Sequence, residues 1–425
     1  MESTRIAVIS ATKDREVEPL PASRLTRARR RRVILVDAYW TRDKDPRVPL
    51  GHASLLAALR ARTRADVRSI VVPVNEGALA GEGLVATILD HAGDLPATDV
   101  DVALGVYVWS EEIVQSVIQK LRATGFTGRI VLGGPQISYC AGGLEGLYPG
   151  ASAFVRGYGE LALCALAEDP GTPKISGVHY AGTEDQKEHA AVPLHELASP
   201  WLTGVIPIEG QRFVRWETQR GCPYRCSFCQ HRDADGRGVK RFELDRIFSE
   251  IDWFCRSGVE EIAVLDPIFN NSRERHAVAI LEHFQREGFR GRLSLQCRGE
   301  LLNDEFLDAA SRLRVRLELG LQTIHEVEGK AVRRQTDLAR VERALEAIRL
   351  RKIEHEVSII FGLPEQTLAS FKETVRWCLA QRVAVTFACA AQVAAGAPCS
   401  AEAGSVAVCS GDGRPGSALL DRLDP

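Results

Sequence analysis

Short apolar runs alternate with segments of helical periodicity along most of this 425-residue chain. Val33–Asp37, Val67–Val72, Asp101–Val106 and Arg129–Pro135 have the pattern of buried strands, and Glu111–Thr124 has that of an amphipathic helix. Strands that alternate with helices are joined by crossover connections and lie parallel. The order therefore predicts an α/β fold that begins with a doubly wound parallel sheet of flavodoxin-like or Rossmann-like type.

The same alternation resumes further along and predicts a second α/β unit. Six strand-like runs follow one another: Phe213–Thr218, Glu261–Asp266, Leu293–Arg298, Arg316–Thr323, His355–Pro364 and Val383–Phe387. Amphipathic helices separate them, for example Leu338–Leu350 and Ser370–Ala380. We therefore divide the chain into a basic N-terminal tail (1–32), a first α/β domain (33–168), a linker (169–212), a partial barrel (213–387) and an atypical tail (388–425).

Three cysteines follow the first strand of the second unit with the spacing C-x3-C-x2-C: Cys222, Cys226 and Cys229. Three thiolates on one short loop can hold three irons of a [4Fe–4S] cluster and leave the fourth iron open, whereas clusters for electron transfer take four cysteines. A zinc site completed by His231 is the alternative. Structural zinc sites usually divide their ligands into two separated pairs, so the spacing favours iron and sulfur, with the three cysteines as metal ligands and catalytic residues.

The spacing, with the aromatic Phe228 before the third cysteine, resembles the signature of the radical S-adenosylmethionine (SAM) superfamily. The resemblance implies a six-stranded partial barrel in which the open iron binds SAM and one electron from the cluster cleaves SAM reductively. The run Ser358–Glu365 fits the family pattern G-x-I-x-G-x-x-E except at its first position, and Asp266 or Asn270 replaces a Gly-Gly-Glu run. Barrel capping is the alternative role of each polar residue. The implied SAM-binding residues are Phe228, Asp266, Arg298, Glu318, Gln322, Ser358, Ile360, Gly362 and Glu365.

The first α/β domain resembles the cobalamin-binding domain that precedes the barrel in many radical SAM proteins. The matching segments are Pro49–Gly51, Gly133–Pro135 and Val155–Glu160. Since no histidine of the sequence follows an aspartate by two positions, the D-x-H-x-x-G motif of cobalt-ligating proteins is missing. Two interpretations stay open: cobalamin without a histidine ligand, and a domain that has lost the cofactor. The implied cobalamin-binding residues are Trp109, Ser110, Gly133, Gly134, Gln136, Gly157 and Tyr158.

The resemblance implies a cobalamin-dependent radical SAM methyltransferase of secondary metabolism. Its substrate would be a small molecule or a peptide, and a flavodoxin- or ferredoxin-type protein would supply electrons. One alternative is transfer of the 3-amino-3-carboxypropyl group of SAM, as onto trivalent arsenic in arsinothricin biosynthesis. The other is an inactive protein that binds the cluster and has a damaged C-terminus.

Composition and charge restrict the partners and the compartment. The 54 Lys and Arg residues nearly balance the 56 Asp and Glu residues, so there is no overall charge signal for nucleic acid or a membrane. Eleven cysteines without a paired framework predict a reducing cytoplasm. The basic run Arg27–Arg32 predicts a solvated tail, with a nucleic-acid arm as the alternative. The Ala/Gly/Ser-rich sequence from Ala388 predicts either disorder or a shifted reading frame.

Overall fold

A computed structural model describes residues 31–75, 81–229, 238–271, 275–389 and 408–409. The described residues form two compact units. The N-terminal unit contains those of Met1–Arg215 together with Lys240–Val259, and the barrel unit contains those of Trp216–Val239, Glu260–Ala395 and Ser400–Pro425. The chain thus leaves the N-terminal unit after Arg215 and returns to it for twenty residues.

The sheet of the N-terminal unit has the strand order β2-β1-β3-β4-β5-β6. Its first five strands pair in parallel, and β6 pairs antiparallel with β5. The strands are β1 (Arg32–Tyr39), β2 (Asp66–Pro73), β3 (Val100–Gly105), β4 (Arg129–Gly133), β5 (Ala153–Val155) and β6 (Val178–Tyr180). The order 2-1-3-4-5 is flavodoxin-like, which confirms the predicted doubly wound sheet, and β6 lies within the segment predicted to be a linker.

Helices of this unit bury one apolar side each. In the helix after β3, Val114, Val117, Ile118 and Leu121 recur at helical spacing and are fully or almost fully buried. Each such side chain contributes about 1.5–3 kcal/mol when it leaves water. The helices are α1 (Leu50–Arg62), α2 (Gly81–Ala92), α3 (Glu111–Ala123), α4 (Pro135–Ser138), α5 (Leu144–Leu147), α6 (Glu160–Glu168) and α7 (Leu244–Arg256), with 3-10 turns at Ala97–Asp99 and Leu194–Glu196.

The sheet of the barrel unit follows chain order, β7-β10-β11-β12-β13-β14, with β15 beyond β14. Strands β10 to β14 pair in parallel, and β15 pairs antiparallel with β14. This succession of parallel strands confirms the predicted partial barrel. The strands of this sheet are β7 (Phe213–Trp216), β10 (Glu261–Val264), β11 (Arg292–Cys297), β12 (Arg314–Gln322), β13 (Glu354–Phe361), β14 (Ala384–Cys389) and β15 (Val408–Cys409), and the short β8 (Gln219–Arg220) and β9 (Lys240–Arg241) lie outside it.

Side-chain caps start three helices of the barrel unit. Asn303, Asp337 and Thr367 each accept a hydrogen bond from a backbone N–H three residues later. A cap of this kind contributes about 1 kcal/mol, and it explains why α11 begins where the sequence predicts. The helices are α8 (His276–Arg286), α9 (Asp304–Ala310), α10 (Glu326–Ala331), α11 (Leu338–Leu350) and α12 (Leu368–Ala380), with a 3-10 turn at Gly299–Leu301.

The predicted tails fall mostly outside the described residues. Of the basic run, Arg31 and Arg32 are described, and they form ion pairs with Asp101 and Asp66. The hypotheses about residues 1–30, and about disorder or a shifted frame in 390–407 and 410–425, lie outside the described part. Among the helices that are described, none has the length and apolar character needed to cross a bilayer.

Candidate active site

The three cysteines lie on one loop after β8, and none of the three forms a disulfide with another cysteine that the structure describes. Cys226 is buried, and the N–H of Cys229 donates to its carbonyl oxygen at 3.1 Å. Burial raises the pKa of the Cys222 thiol, and the neighbouring Cys229 and Cys226 raise it further. The three thiols belong to one segment of eight residues, which is the spacing that a three-cysteine cluster requires.

Gly221, directly before Cys222, allows the backbone of Gly238 to lie close to the cysteine loop. Its φ is +87°, and a Cβ atom built on it would lie 2.5 Å from the carbonyl oxygen of Gly238. A residue with a side chain at position 221 would meet both a strained backbone conformation and a collision with the backbone.

The segment after α10 holds the cysteine loop from another direction. The N–H of Ser227 donates to the carbonyl oxygen of Val332 at 2.9 Å. Next to it, Phe228 packs against a buried apolar cluster of Val332, Ile360 and Leu363. The structure thus brings together two predicted SAM-binding residues, Phe228 and Ile360, beside the cysteine loop.

Asp266 lies after β10 and is completely buried. Its carboxylate accepts hydrogen bonds from the N–H and hydroxyl of Thr218 and from the N–H of Gln219. Burial raises the pKa of Asp266 to about 7, against the opposing effect of these donors. The side chain thus fixes the chain between β7 and the cysteine loop.

Arg298 and Asn270 form a second connection behind the cysteine loop. The Asn270 amide donates to the carbonyl oxygen of Arg298 at 2.9 Å and accepts from its N–H at 3.0 Å. The Arg298 guanidinium pairs with Glu300 and lies 3.8 Å from the ring centre of Tyr224, between the first two cysteines. A SAM carboxylate at Arg298 would therefore compete with Glu300.

Predicted SAM-binding residues on β12 and β13 lie around an irregularity in the ladder. The register shifts between Gly320 and Gln322, and Gln322 has a φ of +74°. Ser358 pairs with Gly320, and a Cβ on that glycine would lie 2.9 Å from Gln322 Nε2. Glu318, earlier on β12, is partly buried. The glycine thus leaves space for the Gln322 amide.

The turn after β13 is held by Gln366, which the sequence pattern does not single out. Its Oε1 accepts from the N–H of Gly362 at 2.7 Å, and its Nε2 donates to Ile360 O at 3.1 Å and to Glu328 at 3.2 Å. Glu365 is exposed and has a φ of +65°. Gln366 therefore shapes the turn that carries the predicted residues Gly362 and Glu365.

Arg334 is a second residue that sequence reasoning missed. Its Nη1 lies 4.0 Å from Cys226 Sγ, and its Nη2 donates to the carbonyl oxygen of Gly320. Burial lowers the pKa of Arg334, and the nearby Arg298 guanidinium lowers it further. A contact across 108 residues leaves no local motif, so the sequence carries no signal for it.

In the N-terminal unit, the predicted cobalamin-binding residues lie beyond the carboxyl ends of β3, β4 and β5. Trp109 is 43% exposed, stacks on Tyr107 at 4.9 Å between ring centres, and donates to the carbonyl oxygen of Ala38. Trp40 and Val108 are exposed as well. Such apolar surface at the carboxyl edge, where the strand order reverses, suits a large planar ligand.

Several of these predicted residues also stabilise the loops at the carboxyl edge of the sheet. Ser110 is buried and accepts from the N–H of Tyr107. Gly134 and Gly157 have positive φ, and a Cβ on either would lie 2.7 Å or less from a backbone oxygen. Gln136 donates to Glu111 at 2.8 Å. Gly133 ends β4, and the N–H of Tyr158 donates to Ala190 O at 3.0 Å.

Comparison with known proteins identifies a family to which part of the chain is similar. Residues 216–378 match the family model of the radical SAM superfamily. Over 203 residues the chain is 32% identical to the cobalamin-dependent radical SAM methyltransferase TokK of Streptomyces tokunonensis, covering 44% of this chain and 30% of TokK. Over 190 residues it is 33% identical to the 2-(S-pantetheinyl)-carbapenam-3-carboxylate methyltransferase of Streptantibioticus cattleyicolor, covering 40% of this chain and 28% of that protein. The matched regions thus span less than a third of either relative.

The fold is similar to that of a solved radical SAM methyltransferase. TsrM from Kitasatospora setae, solved with cobalamin and a [4Fe–4S] cluster bound, superposes with a TM-score of 0.65 at 20% identity, covering 85% of this chain and 72% of TsrM. This likeness concerns the fold of the described α/β units. Residues 216–378 thus match the radical SAM superfamily, and the fold of the described α/β units is similar to that of TsrM.

Proposed function

We propose that this protein is a cobalamin-dependent radical SAM methyltransferase of secondary metabolism. The observation that carries the proposal is the loop after β8, which holds Cys222, Cys226 and Cys229 within eight residues. These thiols would hold a [4Fe–4S] cluster. The similarity to TokK over 203 residues supports methyl transfer as the reaction.

The neighbouring residues would shape the SAM site. Phe228 and Ile360 offer an apolar surface beside the cysteine loop, and Gln322 and Ser358 lie together across the β12–β13 ladder. Because Asp266 already accepts three hydrogen bonds from Thr218 and Gln219, we assign it to positioning the loop rather than to binding the SAM amine. Glu318, Arg298, Gly362 and Glu365 remain candidates for polar contacts.

When bound, the cluster and SAM supply a one-electron reductive cleavage, and cobalamin carries the methyl group. The protein's part is to bind and orient them. Trp109 and its exposed neighbours Trp40 and Val108 at the carboxyl edge of the N-terminal sheet would contact the corrin face. Gly134 and Gly157, whose missing Cβ atoms leave room for Val106 O and Ala190 O, would hold the loops of that edge in place. We further propose a small-molecule substrate, a flavodoxin- or ferredoxin-type electron donor and a cytoplasmic location.

The test is anaerobic reconstitution with iron and sulfide, followed by SAM, hydroxocobalamin and dithionite, with mass spectrometry of the nucleoside products. We expect 5′-deoxyadenosine and S-adenosylhomocysteine from the wild-type protein, and neither from variants in which a loop cysteine is replaced by alanine. Cys297→Ala is the matched control, because this buried thiol lies on β11.

Other products would overturn the proposal in defined ways. 5′-Methylthioadenosine would indicate transfer of the aminocarboxypropyl group. The absence of SAM cleavage in a protein with a complete cluster would indicate an inactive cluster-binding protein. Failure to bind iron at the three thiols would contradict membership of the catalytic group altogether.

A further inference from the structure

We propose that Arg334 is a positioning residue that stabilises the reduced state of the cluster by donating from its guanidinium to the Cys226 thiolate. The inference rests on the proposed function, since it requires a cluster on the cysteine loop. It adds a role for a residue that lies outside every motif of the sequence.

Backbone contacts around Arg334 hold its guanidinium close to the cysteine loop. The N–H of Arg334 donates to Gly329 O at 2.8 Å, and a Cβ atom on Gly329 would lie 2.6 Å from Arg334 O. Two residues earlier, Val332 accepts the hydrogen bond from Ser227 of the cysteine loop. The segment 332–334 is thereby fastened both to α10 and to the loop.

Two of the three guanidinium nitrogens of Arg334 have partners. Nη2 donates to Gly320 O on β12, and Nη1 is 4.0 Å from Cys226 Sγ. Nε is buried and has no hydrogen-bond partner among the described residues. An arginine with a purely structural role would be expected to donate to carbonyl or carboxylate oxygens. In Arg334, by contrast, Nη1 donates to the Cys226 sulfur.

The sign of the effect follows from electrostatics. One-electron reduction, by dithionite or by a flavodoxin- or ferredoxin-type donor, adds a negative charge to a group already held by three thiolates. A fixed cation, and a hydrogen bond to a ligating sulfur, stabilise the more negative state and raise the reduction potential. Arginine remains charged throughout the working pH range of a protein, so this contribution is permanent.

The test compares Arg334→Met, Arg334→Lys and Arg334→Gln with wild type in the full-length, reconstituted protein. Iron and sulfide content is measured first, and then the potential of the cluster by a redox titration monitored by electron paramagnetic resonance. For Arg334→Met we expect normal iron content and, at a fixed potential, about a tenfold lower ratio of reduced to oxidised cluster, equivalent to about 59 mV for one electron. Arg334→Lys, which keeps the charge, should lie nearer to wild type than Arg334→Gln.

Arg333→Met is the matched control. Arg333 is the exposed neighbour in the same segment, and its replacement should leave the potential unchanged. Equal potentials for the Lys, Gln and wild-type proteins would overturn the proposal, as would loss of iron from every Arg334 variant, which would assign the residue to assembly. If wild type itself holds no cluster, the proposed function fails rather than this inference alone.

Discussion

Asp37 and His52 form a buried ionisable pair beneath the carboxyl edge of the N-terminal sheet. His52 Nδ1 is 3.9 Å from Asp37 Oδ2, and its Nε2 is 2.8 Å from the hydroxyl of Ser69. Burial raises the pKa of Asp37 to about 7 and lowers that of His52 to about 3, the latter with a further contribution from Arg60. Tyr107 lies close to Asp37, which raises the pKa of the phenol. In the folded protein the pair therefore holds one proton at mildly acidic pH.

The pair predicts opposite pH dependence for two single variants. Asp37 alone makes the folded state more stable at low pH, and this stability is lost as pH rises from about 4 towards 7. His52 alone makes it more stable above its unfolded pKa of 6.5, and this stability is lost as pH falls towards 3. In wild type the two slopes cancel between about pH 4.5 and 6. Asp37→Asn should show stability rising with pH, and His52→Gln stability falling, each by up to about 1.4 kcal/mol per pH unit.

Hydrogen exchange of peptides from β1 and β2 at graded denaturant concentration measures this stability for the N-terminal unit itself. Ser152→Ala, on the loop before β5, serves as a control without an ionisable change. If the stability of both variants depended on pH with the same slope, the pKa values of Asp37 and His52 would not differ between the folded and unfolded states in the way proposed.

Residue contacts are the level at which the sequence was least informative. The Asp266 carboxylate and the Thr218 hydroxyl are both visible in the sequence, yet they meet only because β7 and β10 are neighbours 48 residues apart. The interpretation of Asp266 as a SAM-binding residue therefore rested on position alone. Gln366 and Arg334 belong to no pattern, since their partners come from other elements.

At the scale of elements, the loops after the strands are held by side chains that act on backbone groups. Gln366 bonds to the turn after β13 and to the end of that strand. It also donates to Glu328 on α10, which is 2% exposed. Glu328 also accepts from the hydroxyl of Thr323 just beyond β12. The ends of β12 and β13 are thus joined through one buried carboxylate.

Gln366→Glu should break this junction. The new carboxylate would face Glu328 and could no longer donate to Ile360, so we expect a loss of about 3 kcal/mol in the stability of the barrel unit and weaker SAM binding. Adding Glu328→Gln should restore a donor–acceptor pair and recover much of the loss. Denaturant unfolding and SAM titration of the four proteins of this cycle measure the coupling, and strictly additive effects would refute it.

Gly221 predicts a sharper effect on the cysteine loop. Gly221→Ala introduces a Cβ 2.5 Å from Gly238 O, whereas Gly238→Ala, at a similar φ of +77°, meets nothing within 4 Å. Both variants carry the cost of a positive φ, about 1–2 kcal/mol, but only the first must displace backbone. We expect iron content per chain to fall strongly in Gly221→Ala and little in Gly238→Ala, and comparable losses would locate the effect in φ alone.

The elements themselves were largely predictable from the sequence. The predicted helix Leu338–Leu350 has those bounds in the structure, and the predicted strand Val67–Val72 extends by one residue at each end. These elements follow from local periodicity and from caps such as Asp337. β6 was not predicted as part of the first sheet, because three residues are too few to show a period and pairing with β5 decides their conformation.

At the scale of the whole molecule, the N-terminal unit is discontinuous in sequence. Phe254 on α7 packs edge-to-face on Trp201 at 5.2 Å between ring centres, and both are almost fully buried. Arg246, also on α7, donates to the carbonyl oxygen of Leu197 at 2.8 Å. The sequence places α7 inside the barrel alternation, and only the contacts assign it to the first unit.

A fragment of residues 31–215 should therefore be incomplete. It lacks Phe254, so Trp201 would be exposed, and we expect a lower melting temperature and binding of a hydrophobic dye. In the intact chain, Phe254→Ala should cost about 3–5 kcal/mol in the stability of the N-terminal unit, whereas Leu202→Ala, at a side chain 46% exposed, should cost little. A fragment that melts cooperatively without binding dye would show that α7 is dispensable.

The hydrogen bond between Ser227 and Val332 and the three bonds to Asp266 are made entirely by protein atoms. We therefore expect the cysteine loop to lose its conformational entropy when the chain folds rather than when metal arrives. In zinc fingers, by contrast, the metal itself drives the ordering of its ligands. Iron that dissociates from this site would leave a loop already shaped to take it back, so repair of an oxidised cluster would require new iron and sulfide but no refolding.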